Sequence, residues 1–190
     1  MMIAHRRVFQ TASNIARSIV NTNKRFVSTI QYAKQDQLFI HQHDNGLTTV
    51  SFSKDPNKQY IGALKTSDAT KGSRSDLSEF EITPETFVEN KDFVGILHDT
   101  YKKHGDEDPS YILEAMNYPG SYMAIADYKI ILEYMNQRPE LPNTLGFVHV
   151  GEDGVMIKNS YQKNDTYTLC NIDGIIKIPE FMAEQLQKYL

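Results

Sequence analysis

The chain has 190 residues, 20 Lys and Arg against 24 Asp and Glu, one Cys, no Trp and 40% hydrophobic content. That length suits one domain with an appendage and excludes two large domains. A single Cys excludes a disulfide scaffold, and no apolar run approaches the ~18 residues that would cross a bilayer.

The net charge of −4 averages two unlike pieces. From Met1 to Gln35 stand Arg6, Arg7, Arg17, Lys24, Arg25 and Lys34, with no acid among them. The remainder carries 14 basic and all 24 acidic side chains, a formal −10. On a helical projection Val8, Phe9, Ala12, Ile15, Ala16, Ile19 and Val20 share one half. Arg6, Arg7, Asn14, Arg17, Asn21, Lys24 and Arg25 share the other. An amphipathic, acid-free segment bearing Arg and Ser has the composition of a mitochondrial transit peptide, and it lacks the continuous apolar core of a secretory signal. Such a helix fits an apolar receptor groove and is drawn inward by a membrane potential worth about 2.3 kcal/mol per charge per 100 mV. The same segment also has the chemistry of a membrane-surface helix or a nucleic-acid-binding arm. We expect residues 1–35 to be a leader cleaved near 26–28, after Arg25, and to engage the import machinery through residues 1–27. A single domain over 36–190 then follows.

In chain order, Leu38 to His43 and Leu47 to Phe52 flank Asp44-Asn45-Gly46 and predict a β-hairpin. A short strand follows at Tyr60 to Leu64. The polar run 65–78 has no apolar periodicity and reads as an exposed loop. Thr83 as N-cap and Pro84 in the first turn predict a helix carrying Phe87, Phe93, Val94, Leu97 and Tyr101, weakened at Asn90 and Gly95 and closed at Gly105. A second helix restarts at Asp108-Pro109 with Ile112, Leu113 and Met116 on one face, and Pro119-Gly120 stops it. Ser121 to Ala126 suits a short strand or a buried helical turn; Asp127 to Met135 fits no single period. Strands at 146–150 and 155–158 flank Gly151-Glu152-Asp153-Gly154. Tyr167 to Ile172 and Ile175 to Ile178 flank Asp173-Gly174, a type I′ signature. After Pro179 a terminal helix carries Met182, Leu186 and Leu190. This order lacks βαβ alternation. It predicts an α+β domain whose mainly antiparallel sheet, an N-terminal hairpin and a C-terminal meander, packs with two or three helices.

The runs Ile125-Ala126-Asp127-Tyr128, Gly146-Phe147-Val148-His149-Val150 and Ser160-Tyr161-Gln162, with Asn164, Tyr167 and Asp173-Gly174-Ile175, carry a resemblance. Over residues 80–190 the chain resembles a family of small, functionally uncharacterised mitochondrial proteins of eukaryotes. The resemblance implies a mitochondrial address and brings no catalytic residues.

Chemistry is sought in six places. His41 and His43 project from one face of a strand, so both imidazoles reach one metal ion beside Asp44; zinc would take a third ligand from His98, His104 or His149. Paired His near a hairpin tip more often belong to a solvated surface. Cys170, in an alternating strand, is either a nucleophile or a small buried hydrophobe. Lys71-Gly72-Ser73-Arg74 lacks phosphate-loop spacing, and no nucleophile elbow, H-E-x-x-H pair or dinucleotide fingerprint occurs. Asp106-Glu107-Asp108 holds a cation or, more simply, complements a helix start. Tyr111, Tyr118, Tyr122, Tyr128, Tyr134, Tyr161 and Tyr167 suit an interface or the rim of a small core. Asn164-Asp165-Thr166 matches a glycosylation sequon that a matrix protein would not present to its machinery.

The leading expectation is a soluble matrix protein acting as a non-catalytic accessory or assembly factor among other mitochondrial proteins, with no cofactor, no nucleic acid and no membrane span. A small hydrolase or metal-dependent enzyme using His and carboxylate groups is the second reading. An RNA- or ribosome-associated protein is the third; the acidic body and poor Lys/Arg interleaving count against it.

Overall fold

The hairpin turn closes through Gly46 N–H donating to the His43 carbonyl at 3.0 Å and Leu47 N–H donating to the Asn45 side chain at 3.0 Å. It joins β2 (Phe39–His43) to β3 (Thr48–Ser51) in the register His41 opposite Thr49. The computed structural model describes residues 27–65, 77–130 and 138–190. Among these it is an α+β fold of antiparallel sheets. β1 (Val27–Gln31), β2, β3, β4 (Gly62–Leu64) and β5 (Phe87–Glu89) form a five-stranded sheet in sequence order. β6 (Tyr122–Ala126), β7 (Thr144–His149) and β8 (Gln162–Lys163) form a second, and β9 (Cys170–Asn171) with β10 (Gly174–Ile175) a third. The helices are α1 (Lys91–His104), α2 (Pro109–Ala115) and α3 (Glu180–Gln187).

Several boundaries differ from the sequence reading. Residues 27–31 pair along their length with β2, so the sheet begins before residue 36. Residues 1–26 of the expected 1–35 leader, the Lys71–Arg74 run and Tyr134 lie outside the described residues. Of the loop over 65–78, Lys65 is exposed, but at the other described end Leu77 is buried in the core and Ala33 N–H bonds the Ser78 carbonyl at 2.9 Å.

The helix expected from Thr83 starts seven residues later. Thr86 and Phe87 N–H groups both bond the Thr83 carbonyl, closing one turn, and the chain then extends because Phe87–Glu89 pairs with β4. Asn90 is the true N-cap: its side-chain oxygen accepts from Asp92 N–H at 3.1 Å while its amide donates to the Tyr60 carbonyl at 2.9 Å. At the other end Gly105 keeps right-handed helical dihedrals, φ −62°, and leads into a 3₁₀ turn over Gly105–Glu107. Asp108 then caps α2, accepting from Ser110 and Tyr111 N–H, as the Asp-Pro signal predicted.

The face assignment of α2 is inverted. Tyr111 and Ala115 are buried, whereas Ile112, Leu113 and Met116 are 42%, 67% and 65% exposed. Tyr111 wins the inward position because its hydroxyl finds the Ala126 carbonyl at 2.9 Å, with Tyr101 at 3.4 Å behind it. Two C-terminal strands also shrink. The 155–158 segment contributes a single bridge, Val150 to Met156. The last hairpin pairs Asn171 with Gly174, so its turn residues are Ile172 and Asp173. Both have negative φ, unlike a type I′ turn, and the positive φ of +114° falls on Gly174, which alone tolerates it.

One core runs through the sheets and helices. Phe52 stacks on Phe93 at 6.0 Å between the first sheet and α1, and α1 packs on α3. The C-terminus is fastened to the N-terminal sheet by amides. Gln37 donates to the Ile178 carbonyl at 2.8 Å and accepts from Ile178 N–H at 3.2 Å, and Gln187 donates to the Phe52 carbonyl at 2.6 Å.

Candidate functional site

A buried polar cluster gathers where β6 ends. Asp127 N–H bonds the Asn143 carbonyl at 2.9 Å and Tyr128 N–H bonds the Lys177 carbonyl at 2.7 Å, which fixes the first two residues of the segment that followed no period in the sequence. Lys129 and Asp127 then form an ion pair at 2.9 Å with both side chains fully buried. The ammonium also donates to the Thr168 carbonyl at 2.7 Å and Asn143 Oδ1 at 3.5 Å, and it lies 5.0 Å over the Tyr167 ring. Tyr167 returns a hydrogen bond to Asp127 Oδ2 at 2.9 Å. Asn143 links onward: its amide donates to Asp173 at 2.7 Å, and its oxygen accepts from Asn171 at 2.6 Å.

Burial raises the Asp127 carboxyl above its ordinary range, and Lys129 and Tyr167 pull it partly back. Burial likewise pushes the Tyr167 hydroxyl well above its usual value, with the Asp127 charge adding to it. All three ammonium protons have acceptors, so the pair is a satisfied internal network. Its chemistry is structural: it ties β6, the 3₁₀ turn Leu141–Asn143 and the β9–β10 hairpin together. Sequence reasoning missed it. Six side chains scattered over 127–173 converge only in three dimensions, and Lys129 had no pattern to distinguish it from a surface lysine.

The histidines are spent separately. His41 is 1% exposed, not on a solvated tip. Its Nε2–H donates to the Ser53 carbonyl and its Nδ1 accepts from Thr29 Oγ1, both at 2.9 Å. Burial lowers its pKa, with His43 contributing in the same direction and the Ser53 bond opposing. His43 bonds Thr49 Oγ1 at 3.1 Å. His98 Nδ1 meets the Tyr161 hydroxyl at 2.9 Å; that hydroxyl donates to the Leu145 carbonyl, so Nδ1 carries the proton. Burial lowers His98 as well. His149 stacks on Tyr122 at 4.9 Å. His104 bridges Glu107 and the Tyr189 hydroxyl, each at 2.9 Å, at the exposed end of α1. His41, His43, His98 and His149 thus sit with different partners. Among the described residues no three His, Cys, Asp or Glu side chains gather to hold a metal ion.

Cys170 is buried, and burial raises its thiol to about 11, which leaves almost no thiolate at neutral pH. In the sequon, the Asn164 amide already donates to the Leu141 and Thr144 carbonyls, both at 2.8 Å. A shallow open hollow beside Tyr101, Lys102, Asp106, Met156 and Tyr161 has room for water rather than a sizeable ligand.

Among the described residues α2 also carries exposed apolar side chains, Ile112, Leu113 and Met116. The turn 151–154 packs beside them: Gly120 N–H bonds the Gly151 carbonyl at 3.1 Å, and a Cβ added at Gly154 would lie 3.4 Å from Met116 Cα. Among the described residues no helix is long and apolar enough to cross a membrane. Compared with known protein families, curated proteins and solved structures, the chain finds no match.

Proposed function

We propose that this chain works by binding another protein, as a non-catalytic accessory or assembly factor in a complex of the mitochondrial matrix. The address rests on the composition of residues 1–35, six basic side chains and no acid on an amphipathic repeat. The binding role rests on one observation: α2 turns Ile112, Leu113 and Met116 to solvent while Tyr111 and Ala115 face the core. Leaving three large aliphatic side chains in water costs stability that a partner would recover.

Two experiments test it. A fluorescent reporter fused to residues 1–35 should enter mitochondria, and a cytosolic signal would overturn the address. The imported, processed protein in mitochondrial extract should elute well above the size of a single chain. The Leu113→Asp/Met116→Asp variant should elute as a folded monomer. Wild-type protein eluting as a lone monomer at native abundance would overturn the accessory role and favour a small enzyme.

A further inference from the structure

The α2 face is not merely apolar; on one side it is bordered by the acidic turn 151–154. The two segments that build it, Gly105–Tyr118 and Val150–Ile157, contain Asp106, Glu107, Asp108, Glu114, Glu152 and Asp153; Lys102, Lys103 and Lys158 lie just beyond their ends, with Lys158 near enough to act on Glu107, which leaves Glu152 and Asp153 as the acidic border. Of these, Asp108 is buried as the α2 cap, whereas Glu107, Glu152 and Asp153 are exposed. Glu152 sits beside Gly120, where an added Cβ would come within 2.6 Å of its carboxylate, so the acidic turn is held against the end of α2. Glu114 lies on α2 itself, and burial raises its carboxyl above the ordinary range.

We propose that Ile112, Leu113 and Met116, bordered by Glu152 and Asp153, dock a cationic amphipathic segment of a partner protein. The apolar side of such a segment covers the three aliphatic side chains, and its Lys and Arg residues reach the acidic border. This rests on the binding role above and adds the chemistry of the partner. Met116, unbranched and polarizable, lets one face accept apolar side chains of different shape. Charge decides among occupants. A second copy of this chain would set carboxylates against carboxylates across an isologous contact, and an anionic bilayer would be repelled. A basic segment turns the same carboxylates into attraction and is steered to the face at low salt.

The test uses the 190-residue chain and a labelled 18-residue peptide with Leu on one helical face and Lys on the other, read by fluorescence anisotropy. Saturable binding is expected at low salt. Glu152→Lys/Asp153→Lys should weaken it about tenfold, and Leu113→Asp should abolish it. A Leu/Glu peptide of the same pattern should not bind. Circular dichroism of each variant separates loss of the face from loss of the fold. Binding that ignores the charge reversal, preferential binding of the Leu/Glu peptide, concentration-dependent dimers lost in Leu113→Asp, or co-sedimentation with anionic vesicles that is lost in Leu113→Asp would each overturn the proposal. If the peptide fails but the large complex in extract still depends on Leu113 and Met116, the partner's chemistry is wrong and the binding role stands. If both fail, both fall.

Discussion

Lys129 and Asp127, two residues apart in the chain, meet as an ion pair at 2.9 Å from which water is fully excluded. Removing one partner leaves the other charge buried and uncompensated, which costs about 3–5 kcal/mol. Lys129→Met should therefore lower stability by about that amount in urea unfolding. Lys129→Met/Asp127→Leu should recover much of it, because no buried charge is left. A Lys129→Met variant as stable as the parent would show that the pair does not hold the three elements together.

His41 makes stability depend on pH. Its folded pKa is depressed by burial, so the folded chain refuses a proton that the unfolded chain accepts below the ordinary ~6.5. Stability should fall as pH drops through that value and hold level above it. The urea midpoint at pH 5.5 should lie below that at pH 7.5, and His41→Gln should flatten the difference. His98, also depressed by burial, should account for a remaining slope. A midpoint that rises on acidification would reverse the sign and sink this account.

Gly146 lies where β7 passes under Tyr161. A Cβ there would meet the Tyr161 ring at 2.7 Å and press on the Gln162 main-chain oxygen. Neither can retreat freely: Gly146 is paired with Lys163, and the Tyr161 hydroxyl is tied to Leu145 and His98. Gly146→Ala should cost about 1–3 kcal/mol by overpacking, measured as a lowered thermal midpoint.

Cys170 should be silent in the native protein. With its thiol raised to about 11 and its side chain buried, an aromatic disulfide reagent at pH 7 should label it only as fast as the chain opens. Rapid stoichiometric labelling without denaturant would mean that the thiol is reachable.

Local chemistry sufficed wherever the deciding groups are neighbours. Asp44-Asn45-Gly46 makes the β2–β3 turn, Asp108-Pro109 starts α2, and Met182 and Leu186 place α3 against the core, because each signal acts within a turn of chain. The α+β class followed from the same signals in order. Tertiary structure decided the rest by competition. Thr83-Pro84 begins a helix in isolation, yet pairing with β4 draws Phe87–Glu89 into a strand and hands the cap to Asn90. The aliphatic stripe of α2 predicts a core face, yet Tyr111 reaches a buried carbonyl that Ile112 cannot use, and the helix turns over. The Lys129 network lay beyond sequence reading for the same reason: a buried charge is tolerable only where distant groups arrive to satisfy it, and periodicity carries no record of which ones do. The sequence alone determined the charge division between the first 35 residues and the acidic remainder. Only the folded chain decided which carboxylates border an exposed apolar face, because burial there depends on what packs behind it.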